Sequence, residues 1–211
     1  MIATLKRRLD GWRYRRRYSF PTISLGDLVK GRQPLILDLR DWDSDLRAGD
    51  FMDSLTIASI ARALEPALYW EIGTGDGRTA LLIARNTPDA SLICTLDPGF
   101  PEDVVKGSVF RGRPEATKIR QFGDYSERFD FTPWHGMAGL VFVDGSHEFK
   151  HVSNDSEVAF KLIAPGGWIL WHDVAIDAPG VAKALKQCSR AGRIEAISGT
   201  RYALYRETSA K

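Results

Sequence analysis

Cysteine is nearly missing from this sequence, with two among 211 residues and no Cys-x-x-Cys spacing. A disulfide framework is thereby excluded, and Cys94 and Cys188 read as reduced packing residues. No stretch approaches the ~20 consecutive apolar residues of a membrane-spanning helix. Met1 to Phe20 is rich in arginine and lacks an apolar core, so a secretory signal is not expected and a cytoplasmic location is the default. Internal repeats and low-complexity tracts are absent as well.

What is present suits a globular chain with one sizeable core: 44% apolar and 27% charged residues. The net charge of +2 conceals an uneven distribution, because Lys6, Arg7, Arg8, Arg13, Arg15, Arg16 and Arg17 face only Asp10 within the first twenty residues. Residues 1–50 are therefore expected to form a basic tail and leading segment, and residues 51–211 the functional domain. Ile2, Leu5, Leu9 and Trp12 recur at helical spacing, so the tail could lie on a membrane surface or on nucleic acid. Charge runs more often mark a solvated or partner-packing face, which is the reading preferred here.

Apolar strand-like runs alternate with helical ones. Strands are expected over the apolar approach Leu68 to Trp70, which ends at Glu71, and at Ser91 to Leu96, Lys118 to Phe122, Gly139 to Val143 and Trp168 to Trp171. Helices are expected from Asp53 or Ser54 to Leu64, and over Arg78 to Asn86, Glu148 to Ile163 and Gly180 to Cys188. Arg193 to Ser198 and Arg201 to Arg206 flank Gly199-Thr200, a two-residue hairpin turn. The expected fold is α/β, a doubly wound, mostly parallel seven-stranded sheet with an antiparallel edge hairpin.

One more absence decides the kind of site. A dinucleotide-binding turn needs Gly-x-Gly-x-x-Gly. Here Gly73, Gly75 and Gly77 alternate, and Arg78 stands where the third glycine belongs. The turn still opens backbone N–H groups toward a ligand at a helix start. Ligands of such sheets lie beyond the carboxyl ends of the strands, and those ends carry Glu71, Asp97, Asp124, Asp144 and His172-Asp173. Any one of them alone could be a turn former or cap; together at one rim they point to a site.

Glu71-Ile-Gly73-Thr74-Gly75-Asp-Gly77 with Asp97 at the next strand end resembles the first motif of class I S-adenosylmethionine-dependent methyltransferases. Val141-Phe-Val-Asp144-Gly-Ser-His147-Glu, then Val152 and Asp155, then Pro165-Gly-Gly and His172-Asp173 resembles methyltransferase family 24, the group of macrocin and rhamnosyl O-methyltransferases and cephalosporin-hydroxylase-like proteins. The resemblance covers about residues 50–175. It implies that Gly73, Thr74 and Gly75 pass under the methionine part of S-adenosylmethionine with Glu71 near its amino group. Asp97 would take the ribose hydroxyls, and Asp124 with Tyr125 the adenine edge. Asp144 and His147 would be catalytic, with His147 standing where related catechol-type enzymes carry a lysine base. Asp144, His172 and Asp173 would hold a divalent cation, Mg²⁺ or Mn²⁺.

The expected activity is O-methylation of a small molecule or glycoside. A metal-independent N-methyltransferase, and a non-catalytic cofactor-binding protein docking through its basic tail, are the alternatives. Nucleic acid is not expected as a partner; membrane contact by the tail and a homo-oligomer stay open. A zinc site from His147, His151, His172 and Asp144 is a competing metal reading. Phe100, Trp134, Phe149, Trp168 and Trp171 could wall an acceptor pocket, although such residues are more often core.

Overall fold

The computed structural model describes residues 14, 17–31, 35–40, 48–99, 109–188 and 190–208. The predicted helix through Ile2, Leu5, Leu9 and Trp12 lies outside them, as do Phe100 and most of the loop after it. Eight strands form one sheet: β1 (Thr22–Ile23), β2 (Leu68–Ile72), β3 (Leu92–Leu96), β4 (Ile119–Phe122), β5 (Ala138–Val143), β6 (Ile163–Trp171), β7 (Glu195–Ile197) and β8 (Ala203–Arg206). Among the described residues five α-helices accompany them: α1 (Leu25–Leu28), α2 (Ala48–Leu64), α3 (Arg78–Arg85), α4 (Phe149–Leu162) and α5 (Pro179–Gln187).

The order across the sheet is β1-β7-β8-β6-β5-β2-β3-β4. Neighbours run parallel except at β8, which is antiparallel to both β6 and β7. The seven strands expected from sequence are joined by an eighth, β1, whose two residues pair with Ala196 and Ile197 of β7. So short a strand carries no period-2 pattern to read, and it makes β1, not the hairpin, the outermost strand.

Side chains alternate across the sheet and bury both faces. Tyr69, Ile93, Leu140, Phe142, Leu170 and Leu204 pack under α2 and α3. Trp70, Cys94, Val141, Val143, Ile169, Trp171 and Tyr205 pack under α4 and α5. Continuous apolar runs such as β2, buried along its whole length, are what a parallel sheet covered on both sides requires. Of the aromatic residues offered as pocket walls, Trp134, Phe149 and Trp168 pack against this core, Trp134 edge-on to Trp70 at 5.6 Å, and Trp171 is fully buried in it with its indole N–H donating to Ser156.

Helix α2 starts at Ala48, five residues before the predicted start, so Asp53 lies inside it. The strand order reverses between β2 and β5, and this switch point places the site.

Candidate functional site

At the switch point the turn after β2 meets the end of β5. Gly73 has φ +105°, and a β-carbon on it would come within 2.2 Å of the Asp144 carbonyl oxygen. Glycine is required there by the neighbouring backbone. Gly75, at φ +52°, has open space around it, so its requirement is conformational. Gly77 begins α3 in the left-handed region without a side-chain cap.

A cavity of about 360 Å³ opens beside this turn, lined among others by Gly73, Asp97, Asp124, Tyr125, Ser126 and Asp155. Its size is in the range of small-ligand sites. Asp97 accepts the N–H groups of Gly75 at 3.0 Å and Gly99 at 2.9 Å, one on each oxygen. A carboxylate has about four acceptor positions, so capacity remains for a diol.

Asp124 accepts the Tyr125 N–H at 2.7 Å and pairs with Arg128 at 2.8 Å; these contacts lower its pKa. Asp155, 3% exposed, accepts from the Ser126 hydroxyl. Burial raises its pKa despite that bond. Across the cavity wall, His151 Nδ1 meets Glu127 Oε1 at 2.6 Å.

Next to the cavity, the ends of β5 and β6 bring charged side chains together. His147 Nε2 lies 2.6 Å from Asp173 Oδ2, and ligand atoms of Asp144, His147 and Asp173 lie within 4.8 Å of one another. Asp173 has φ +55°, a strained position for a residue with a β-carbon. His172 sits between carboxylates: Nδ1 is 3.1 Å from Asp144, and Nε2 is 3.0 Å from Asp53 of α2. Arg201, just before β8, pairs with Asp173 at 2.8 Å and gives its backbone N–H to Asp53 at 3.0 Å.

Burial works against a charge on His172, but Asp144, Asp173 and Asp53 outweigh it and push its pKa up to about 11. Burial likewise opposes ionisation of Asp173, yet His172 and Arg201 hold that carboxyl down at about 2.

Residues 70–174, about half of the chain, match a family described as a methyltransferase domain. The chain contains a methyltransferase domain of this family.

Solved structures with similar folds include a putative O-methyltransferase from Klebsiella pneumoniae (TM-score 0.59, 16% identity, 88% of this chain and 90% of that one). The O-methyltransferase TomG of Streptomyces achromogenes, involved in tomaymycin synthesis and solved with SAM, gives TM-score 0.58 at 17% identity over 79% of this chain and 83% of its own. An O-methyltransferase from Bacillus cereus, solved with SAH, gives 0.57 at 14% identity over 75% and 82%. These likenesses establish the class I methyltransferase fold. An uncharacterized protein, R132 of Acanthamoeba polyphaga mimivirus, is 29% identical over 115 residues, and the chain spans about half the length of that curated relative.

The methyltransferase departs from the sequence reading at three points. Glu71 is 1% exposed and does not line the cavity. Its carboxylate accepts from Thr95 at 2.8 Å, and Thr95 in turn meets Thr74 at 2.6 Å, so Glu71 and Thr74 brace the glycine turn from below. Burial raises the Glu71 pKa well above the usual carboxylate range.

Second, His172 is not among the clustered ligand atoms; His147 takes its place beside Asp144 and Asp173. Both His172 ring nitrogens face carboxylates, Nδ1 that of Asp144 and Nε2 that of Asp53. Third, His151 is held by Glu127 and stays outside the cluster, so the four-residue zinc set does not assemble.

Asp53 and Arg201 were not expected at the site. Asp53 had the look of a helix cap, and Arg201 lay in a hairpin flank; only the fold brings them to the end of β6. Asp155 stood in the family motif, and nothing in the spacing alone assigned it to the cavity.

Proposed function

We propose that this methyltransferase moves the methyl group of S-adenosylmethionine to a hydroxyl of a small molecule or glycoside. The observation that carries the reading is the contact between the two halves of the site. The glycine turn beside the cavity touches the backbone of Asp144, the residue that opens the carboxylate and imidazole cluster. A cofactor in the cavity would therefore end close to the groups able to handle an acceptor. In this reading Gly73 and Gly75 form the wall under the methionine part, Asp97 takes the ribose diol, and Asp124 with Tyr125 faces the adenine edge.

A sulfonium methyl is already activated, so the protein must align the acceptor oxygen, exclude water and remove a proton. His147 is the exposed member of the cluster, with its side chain 57% accessible, and an imidazole nitrogen is a group that can take a proton from an acceptor hydroxyl. Asp173, at 2.6 Å, orients that ring. By donor type, Asp144, His147 and Asp173 also fit a divalent cation, Mg²⁺ or Mn²⁺ on the carboxylates. Such a cation would acidify a bound hydroxyl. The close His147–Asp173 pair favours a second, cation-free version in which His147 is the base.

Calorimetry with S-adenosylmethionine and with NAD tests the cofactor; binding of NAD alone sinks the proposal. Turnover in excess chelator separates the two versions. Its loss is expected if the cation takes part, and full activity leaves His147 as the base.

A further inference from the structure

Asp53 lies on α2, seventeen positions before the segment that matches the methyltransferase family begins at residue 70. It is only 4% exposed, and its carboxylate faces His172 and Arg201. Oδ2 lies 3.0 Å from His172 Nε2, while Oδ1 accepts the Arg201 backbone N–H at 3.0 Å. His172 spans the gap, with Nδ1 3.1 Å from Asp144 Oδ1. The ring is also walled by Tyr202, at 5.1 Å between centroids, and by Phe142 at 6.2 Å.

An imidazole tied at both nitrogens and flanked by two rings has no rotational freedom left. A carboxylate at a strand end, by contrast, has a broad terminal torsion. The side chain of Asp144 is 30% accessible and meets this ring at 3.1 Å.

We propose that Asp53 is a positioning residue for methyl transfer: through His172 it fixes the Asp144 carboxylate from a helix outside the family segment. This rests on the reading above that Asp144 serves the acceptor. The competing assignment is purely structural, with Asp53 merely anchoring the loop at Arg201.

Labelled protein tests the link without any acceptor. Asp53→Asn, and Asp53→Ala should the first misfold, are compared with wild type by the carboxyl ¹³C signal of Asp144 and the ring ¹⁵N signals of His172. Both sets shift if the link exists. An Asp144 signal that stays in place while the protein remains folded overturns the proposal.

Turnover adds a second arm, with methyl-labelled S-adenosylmethionine and catechol as the probe acceptor. Asp53→Asn is expected to lower kcat about 10- to 100-fold, as loss of a partner that orients a site ligand does. KM for the cofactor stays within about twofold. In a His172→Phe background the same substitution costs almost nothing further, because the two act in series. An equal loss in both backgrounds overturns the proposal in favour of the Arg201 anchor. Wild-type protein that binds the cofactor and methylates no hydroxyl would refute the function reading alone, and the Asp144 signal would still decide this one.

Discussion

The ends of β2, β3 and β4 and the ends of β5 and β6 form one continuous rim, yet the two parts are built from different materials. Over β2 to β4 the working surface is largely backbone: Gly73 and Gly75 with positive φ, and Asp97 holding two main-chain N–H groups. Over β5 and β6 it is side chain against side chain. Asp53, Asp144, His147, His172, Asp173 and Arg201 converge there from α2, from two strand ends and from the approach to β8. A wall of backbone suits a ligand that must always be held in the same way. A cluster of charges can move protons and hold cations, but every member depends on the others for its orientation.

The contrast can be broken at the seam. Gly73→Ala should have the largest effect, since the new β-carbon meets the Asp144 backbone at 2.2 Å in a left-handed conformation. Strain and overpacking together should cost about 2–5 kcal/mol. Thermal unfolding would read this as a large drop in Tm; an unchanged Tm would mean the two halves are not in contact.

On the acceptor side, Asp144→Ala should lower turnover by at least about 100-fold. Cofactor affinity, measured by calorimetry, should change by no more than about threefold. Equal losses in both would move Asp144 to the cofactor half.

On the cofactor side, Asp97→Ala should weaken S-adenosylmethionine binding by about 10- to 100-fold, the worth of hydrogen bonds to a charged acceptor. A change below about twofold would overturn the ribose role proposed for Asp97.

The smallest effect sharpens the comparison beneath the glycine turn. The folded pKa of Glu71 is raised by burial. Its contribution to stability is therefore complete below the unfolded carboxylate range near 4.5 and is lost as pH rises. Glu71→Gln, which keeps an acceptor for Thr95, should unfold a few degrees higher than wild type at neutral pH and converge with it toward pH 4. Cofactor affinity should not move. A Gln variant that melts lower and binds more weakly would return Glu71 to the cofactor.

Much of the fold was legible because it is written locally. β2, β3 and β5 are apolar runs ending in acidic residues, and Pro and Gly close the helices; five strands were located within a residue or two at their carboxyl ends. The start of β6 was not, because Pro165-Gly166-Gly167 reads as a turn while the strand runs through it, with Ile163 paired to Ala138. The two-residue β1 had no pattern to find. No helix among the described residues is long and apolar enough to cross a membrane.

The sequence by itself determined the order of strands and helices, the glycine turn with its abnormal spacing, and the row of acidic strand ends that marks one rim of the sheet. Those features depend on neighbours a few residues apart, through periodicity, φ preference and the end of each apolar run. Only the tertiary structure decided which groups meet. It turned Glu71 inward to Thr95, put His147 rather than His172 among the clustered ligand atoms, and brought Asp53 across 119 residues to the ring of His172. The reason is physical: a side chain's partner across a sheet is set by strand order and helix placement, and no spacing along the chain encodes that distance.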